Sequence, residues 1–282
     1  MSAPDTSKRL EVEGGLIAYE VAGRGPSIVL IHEGIADRRV WSREFNLLAR
    51  NHRVVRYDLR GFGASSRATG PFSHVRDLFD LVKHLRLRKP ALVGASVGGS
   101  IAIDFALAHP NVVAGLFLIA PAVSGLEFSM VPDAKAAFEE DDRISQAAAV
   151  AWREGRTDDA VGGMRKLWGG ALEGPALDLF RTMVRDNGEE MFNDVSGKHF
   201  QPQPERAARR LSEIHLPTTI VVGDRDNPVS LPIARYIASG IAGSTLLTIP
   251  GGDHLLNLSQ PEGLDAALTE FLRRISQKPR PH

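Results

Sequence analysis

Ser96 sits within Gly94-Ala95-Ser96-Val97-Gly98, between the apolar run Ala91-Leu92-Val93 and a segment where Ile101, Ala102, Phe105, Ala106 and Ala108 recur at helical spacing. A serine hydroxyl is a weak nucleophile, so one used for covalent chemistry must stand clear of its own backbone and within reach of a base. A tight strand-turn-helix gives that exposure, and it needs small residues two before and two after the serine, where strand and helix crowd together. Gly94 and Gly98 meet the need. The helix starting near Val97 points its first amides toward Ser96, where they can hold the negative oxygen formed in acyl transfer. A dinucleotide-binding loop is the rival reading of these glycines. It is set aside because Ser96 fills that loop's middle glycine position and the stretch lies far from the N-terminus.

A serine nucleophile needs a base to take its proton and a carboxylate to orient the base. Of the nine histidines, His84 and His109 lie on or just beyond helices, and His52, His74, His199, His215 and His282 fall at element edges or in polar surroundings. His254 differs. It follows a strand through Pro250-Gly251-Gly252-Asp253, which places it on the Ser96 side of a parallel sheet. Asp224 and Asp226 both follow the preceding strand on that side, and either can orient the base on spacing alone. The chain order Ser, Asp, His is the one that accompanies Gly-x-Ser-x-Gly. The expectation is that all three side chains meet above one rim of the sheet.

The elements that would position them can be read from patterning. Arg9 to Glu13 and Leu16 to Ala22 alternate in polarity about Gly14-Gly15, as two antiparallel edge strands would. Ser27 to Ile31 is a continuous apolar run, the mark of a parallel strand buried on both faces. A helix from about Trp41 to Arg50, a strand Arg53 to Tyr57 and an amphipathic helix Val75 to Leu85 follow, then the Ser96 strand and helix and a strand over Val112 to Ala120. After the change of pattern described next come a strand Pro217 to Val222, a helix Leu231 to Ser239, a strand Ser244 to Ile249 and a last helix to about Ile275; the tail Gln277 to His282 is expected to fray. Regular alternation implies a mostly parallel sheet with helices on both faces and a ligand site at the carboxyl ends of the strands. Residues 123–210 break the pattern: they hold no strand-like run and are punctuated by Trp152, Met164, Trp168, Phe180 and Phe192. The chain therefore divides into a core, 1–122 and 211–282, and an inserted helical cap, 123–210. Most aromatics of the cap belong to its own core, with Trp152 and Trp168 as candidates to line a pocket.

Composition narrows the function. The 282 residues are 43% hydrophobic, enough for a sizeable core. Lys plus Arg equals Asp plus Glu at 34 each, so no overall field recruits nucleic acid or an anionic membrane. Cysteine is absent, which removes disulfides, thiolate nucleophiles and cysteine metal sites and fits a reducing compartment. The opening Met1 to Leu10 is polar, without the apolar core of a signal peptide, and the longest apolar run, Val112 to Val123, is too short to span a bilayer. The expectation is a cytoplasmic protein with a small-molecule substrate, no nucleic-acid or membrane partner, no metal and no cofactor.

Four local patterns together resemble the α/β-hydrolase family with a helical cap: His32-Glu33-Gly34, Asp58-Leu59-Arg60-Gly61-Phe62-Gly63-Ala64-Ser65, the Gly94 to Gly99 turn, and Gly252-Asp253-His254 ahead of Asn257 and Gln260-Pro261-Glu262. In that family the acid stands shortly before a proline after its strand, which favours Asp226, ahead of Asn227-Pro228, over Asp224. The resemblance also assigns an oxyanion hole to the backbone amides of Gly34 and Val97, and gives Asp58 and Arg60 structural or pocket-lining places. One position departs from the family pattern: the common His-Gly pair reads His32-Glu33 here, with the glycine one place later. The implied activity is cofactor-free hydrolysis of a small carboxylic ester or lactone through an acyl-enzyme. Perhydrolase or haloperoxidase-like chemistry, carbon–carbon bond hydrolysis and ligand binding without turnover are the alternatives on the same scaffold. Dehalogenase or epoxide hydrolase chemistry is disfavoured, since those relatives carry aspartate where Ser96 stands.

Overall fold

The computed structural model describes residues 7–277; residues 1–6 of the polar opening and 278–282 of the tail expected to fray lie outside the described residues. In chain order the elements are β1 (Lys8–Val12), β2 (Gly15–Ala22), β3 (Ser27–Ile31), α1 (Ser42–Leu48), β4 (Arg53–Tyr57), α2 (His74–His84), β5 (Ala91–Ala95), α3 (Val97–Ala108) and β6 (Gly115–Ile119). They continue as α4 (Lys135–Arg153), α5 (Thr157–Trp168), α6 (Gly174–Asn193), β7 (Thr218–Gly223), α7 (Ser230–Gly240), β8 (Thr245–Ile249), α8 (Leu256–Ser259) and α9 (Pro261–Gln277).

The strands form one sheet in the order β1-β2-β4-β3-β5-β6-β7-β8, antiparallel across β1-β2 and β2-β4 and parallel from there on. The residues of β3, β5, β6 and β7 are all buried, as continuous apolar runs between two helical layers require. Alternate side chains of each strand serve opposite faces. Ile28, Leu30, Val93 and Phe117 join α1 and α9 on one side, while Val29, Ile31, Leu92 and Leu118 join α2, α3 and α7 on the other. The rings of Phe117 and Phe271 lie 5.5 Å apart and fasten α9 to β6. Truncating a buried aromatic of this kind costs about 3–5 kcal/mol.

Element ends shift by a residue or two throughout, and three differences from the sequence reading have a clear physical cause. The hairpin is not all edge: β2 also pairs with β4, so β1 alone is exposed at that side, and the consecutive buried residues Ile17, Ala18 and Tyr19 mark β2 as interior. The helix expected from Trp41 starts at Ser42, because Arg38–Trp41 forms a 3₁₀ turn whose cap, Asp37, accepts a hydrogen bond from the Arg39 backbone N–H. The strand expected from Val112 starts at Gly115, since the Val112 N–H is taken by a turn to the His109 carbonyl.

Between β6 and β7 the described chain contains no strand and three α-helices, α4, α5 and α6, with short 3₁₀ turns on either side of them. Inside this insert the Trp152 ring lies 5.2 Å from that of Phe192 and fills the space a side chain at Gly188 would need. No helix among the described residues is long and apolar enough to cross a membrane.

Candidate active site

Ser96 stands at the turn from β5 into α3 with φ +51 and ψ −116, a conformation that costs a residue with a Cβ about 1–3 kcal/mol and persists only where surroundings impose it. Four backbone hydrogen bonds do so. The Ser96 N–H donates to the Ile119 carbonyl at 2.9 Å, and the Ser96 carbonyl accepts from the N–H groups of Gly99, Ser100 and Ala122 at 2.9, 3.2 and 3.0 Å. The flanking glycines are required by close approach. A β-carbon at Gly94 would lie 2.3 Å from the Gly98 carbonyl oxygen, and one at Gly98 would lie 2.3 Å from that of Ile31. The elbow is thus wedged against the end of β3.

The loop after β3 is shaped by His32. The Leu59 N–H donates to Nε2 at 2.9 Å, so Nε2 is the acceptor and the proton resides on Nδ1, which donates to the Glu33 carbonyl at 2.7 Å. Burial holds the His32 pKa below its ordinary value, against the raising influence of Asp58, and this keeps the neutral tautomer. The loop so fixed brings Gly34 beside the elbow: the β-carbon position of Gly34 lies 3.6 Å from Val97 Cγ1. The two residues expected to supply oxyanion amides are therefore neighbours, and Val97 is the first residue of α3, where unpaired N–H groups and the helix dipole favour negative charge.

Asp226 and His254 are brought together from the loops after β7 and β8. His254 Nδ1 lies 3.0 Å from Asp226 Oδ1 and 3.2 Å from Oδ2, with the side chains 5% and 1% exposed. Burial opposes the imidazolium, but the charge and hydrogen bond of Asp226, helped by Glu33 and Asp253, outweigh it and hold the His254 pKa above its ordinary value. Asp224, the alternative acid, is exposed and accepts a hydrogen bond from the Gly251 N–H at 2.6 Å, which braces the loop before His254. Among the described residues no hydrogen bond joins Ser96 Oγ to His254; such bonds are often long before a substrate tightens them. The Trp168 ring lies 4.4 Å from that of His254, whereas Trp152 packs within the insert.

Several contacts around the site lay beyond the sequence reading, which noted Glu33 only as a departure from the family pattern and Asp253 only as part of one. Glu33 is 1% exposed, and neither carboxyl oxygen has a hydrogen-bond partner among the described residues. Burial pushes its pKa up to about 7. Asp253, directly before His254, accepts from the Ala171 N–H of the insert at 3.0 Å and from the Leu255 N–H at 3.1 Å. Asn187 of α6 accepts from the Gly63 N–H at 2.8 Å and donates to Asp37 at 2.9 Å. The one local signal was the unusual Glu33 in the His-Gly position; the others are long-range contacts. Asp58 and Arg60 are structural: Asp58 pairs with Arg38 and accepts from the Ala64 N–H at 2.8 Å, and Arg60 binds Asp77 at 2.9 and 3.0 Å.

A serine in a strained turn after β5, and an aspartate-histidine pair in the loops after β7 and β8, all follow the carboxyl ends of parallel strands in one sheet flanked by helices, the arrangement of an α/β-hydrolase scaffold. The chain belongs to the alpha/beta hydrolase family, whose model matches residues 28–267. Uncharacterized proteins of Mycobacterium tuberculosis and Mycobacterium bovis are 35% identical over 121 residues, 42% of this chain, and the match spans about a third of their length, 35%. A putative non-heme chloroperoxidase of Synechocystis is 27% identical over 91% of this chain and 95% of its own. Among solved structures, a hydrolase from Pseudomonas aeruginosa is similar with a TM-score of 0.74 and 26% identity, covering 95% of this chain and 98% of that one.

Proposed function

We propose that this protein is a serine hydrolase that cleaves a small carboxylic ester or lactone through an acyl-enzyme. The observation that carries the reading is the buried Asp226–His254 hydrogen bond in the loops after β7 and β8, at the same carboxyl edge of the sheet where β5 ends in the strained Ser96 elbow. Ser96 Oγ attacks the carbonyl carbon while His254 Nε2 takes its proton, and Asp226 stabilises the imidazolium through Nδ1. The tetrahedral oxygen lies against the amides of Gly34 and Val97. Collapse expels the alkoxide, which takes the proton from His254, and leaves Ser96 acylated. A water activated by His254 then releases the acid. Every step is carried by groups of the chain itself, so the mechanism calls for no metal or cofactor. The substrate is a small molecule, neither nucleic acid nor membrane, that enters beneath a cap of residues 123–210 on a core of 1–122 and 211–282, with Trp168 along its path. A cytoplasmic location accords with the cysteine-free sequence.

The test is hydrolysis of a p-nitrophenyl ester and lactone panel with fluorophosphonate labelling. Labelling at Ser96, and loss of several orders of magnitude in kcat in Ser96→Ala with the fold retained, are the expected results. A wild-type protein that neither turns over nor labels is instead a ligand-binding member of the fold. The chloroperoxidase-named relative favours one further assay: hydrogen peroxide replacing water as acyl acceptor at the same acyl-Ser96, read as peracid formation.

A further inference from the structure

The insert is hydrogen-bonded to the residues immediately adjacent in sequence to both members of the acid-base pair. On the acid side, Asn227 Nδ2 donates to Asp141 Oδ1 of α4 at 2.7 Å, and the Asn227 backbone N–H donates to Asp226 Oδ1 at 2.6 Å, the same oxygen that lies 3.0 Å from His254 Nδ1. Asn227 Oδ1 is held in turn by the Val229 N–H at 3.1 Å, so the side chain has one orientation. On the base side, Asp253 Oδ2 accepts from the Ala171 N–H in the α5–α6 connection at 3.0 Å, while its backbone N–H donates to Ser259 Oγ at 3.2 Å. Asn227 and Asp253 are 8% and 2% exposed, where water competes little for these bonds. The third point is direct, the Trp168 ring against the imidazole.

Two separate parts of the insert, α4 and the α5–α6 connection, thus grip the two separate loops that must come within hydrogen-bonding distance for catalysis. We infer that Asp141 and Asp253 are positioning residues through which docking of the insert sets the Asp226–His254 pair, so that the base is aligned only when the insert is seated. The inference rests on the serine-hydrolase reading for its consequence in turnover. The geometric coupling is independent of it. A substrate that needs the insert to lift for entry meets an unaligned base until the insert reseats, which links substrate enclosure to proton transfer and suppresses attack by stray water on an open site.

Asp141 is the decisive probe because it hydrogen-bonds to Asn227 and to neither Asp226 nor His254, and because Ala and Asn at 141 both remove the charge it presents to the pair, so only the acceptor distinguishes them. Asp141→Ala removes the acceptor for Asn227, and Asp141→Asn restores an oxygen acceptor in the same place. The expected kinetics are a fall in kcat of about 10-fold to 100-fold in Asp141→Ala, of the size that small misplacements of a catalytic group produce, with KM moved less than twofold, and recovery of most of kcat in Asp141→Asn. Asp253→Asn, which keeps one of two acceptor oxygens, falls between. The second readout needs no turnover: the downfield proton resonance of the His254 Nδ1–H held by Asp226. It should broaden or vanish in Asp141→Ala and return in Asp141→Asn, while circular dichroism and melting show the fold intact. Equal kcat in wild type and Asp141→Ala, equal loss in both Asp141 variants, or an unchanged resonance overturns the positioning role. If the wild type shows the resonance but hydrolyses no ester, the functional reading fails, and the resonance in the Asp141 variants still decides the coupling.

Discussion

Asp226 Oδ1 is shared by two donors, the Nδ1–H of His254 at 3.0 Å and the backbone N–H of Asn227 at 2.6 Å. The backbone donor holds the same oxygen that faces the imidazole, so the carboxylate's position does not depend on His254 alone. An asparagine at 226 keeps the size but presents one amide nitrogen, which cannot accept from Nδ1–H and favours the wrong tautomer. Asp226→Asn should lower kcat by about four orders of magnitude, whereas Asp224→Asn, which loses only a brace to Gly251, should stay within about tenfold of wild type. Steady-state kinetics on one p-nitrophenyl ester compares them, and a larger loss at 224 reverses the assignment. The pH profile adds a check. Because the folded His254 pKa is raised, the acid limb of kcat/KM should lie above the ordinary histidine value of 6.5. The stability that the pair contributes is full below that value and is lost as pH rises through the folded one.

Glu33 titrates in the opposite sense to an ordinary paired carboxylate. Burial raises its pKa from 4.5 to about 7, with Asp37 and Asp253 adding to the rise and the His254 charge opposing it. Burial likewise raises Glu44 to about 8, with the charges of Asp265 and, less so, Glu33 adding to the rise and that of Arg43 opposing it. The folded protein therefore holds protons that the unfolded chain releases. Stability is greatest below pH 4.5 from this source and falls as pH climbs to about 7, by on the order of 3 kcal/mol for Glu33 alone. In Glu33→Gln the difference in unfolding free energy between pH 5 and pH 8, measured by urea titration, should shrink by a large part of that amount. An unchanged difference would show that the Glu33 carboxyl is solvated.

Much of the site was legible because its signals are local. The Gly94-to-Gly98 elbow announces itself within five residues, since the steric demand behind it, backbone against backbone, admits so few side chains. His254 was legible as a loop residue after a parallel strand. Spacing alone left Asp224 and Asp226 open, because both follow β7; the family resemblance favoured Asp226, and the fold shows that Asp226 reaches the imidazole and Asp224 the Gly251 amide. The interior place of β2 escaped for a related reason: its alternation fits an edge hairpin, and its second partner, β4, lies more than thirty residues on. The grips of Asp141 on Asn227 and of Ala171 on Asp253 join residues 86 and 82 apart, a separation that no local pattern encodes.

Gly98 offers a test of the elbow that leaves every catalytic side chain in place. A methyl at this position meets the Ile31 carbonyl oxygen at 2.3 Å and that of His32 at 2.7 Å, both backbone atoms that cannot swing aside. Either α3 moves away from β3 or the His32 loop shifts, and both displace Val97 relative to Gly34. Gly98→Ala should be destabilised by about 1–3 kcal/mol and should lose kcat by more than that destabilisation accounts for, since the folded fraction carries a distorted oxyanion hole. Thermal melting and kcat of the folded fraction measure the two effects, and a variant with wild-type kcat would mean that the elbow can yield without disturbing the amides.

The two tryptophans of the insert should separate cleanly. Trp152 packs against Phe192 and Gly188 within the insert, so Trp152→Ala leaves a cavity and should cost about 3–5 kcal/mol, the range for truncating a packed aromatic, with little change in the pH profile. Trp168 lies against His254 and excludes water from it. Burial is the largest influence holding the His254 pKa down, and Asp226 opposes it. Removing the indole admits water, weakens the burial effect and moves the pKa further up. Trp168→Ala should therefore shift the acid limb of kcat/KM to higher pH, raise KM by loss of an apolar wall, and cost less stability than Trp152→Ala. Melting temperatures with paired pH–rate profiles decide it. A profile that moves in Trp152→Ala and stays fixed in Trp168→Ala would place the pocket at the wrong tryptophan.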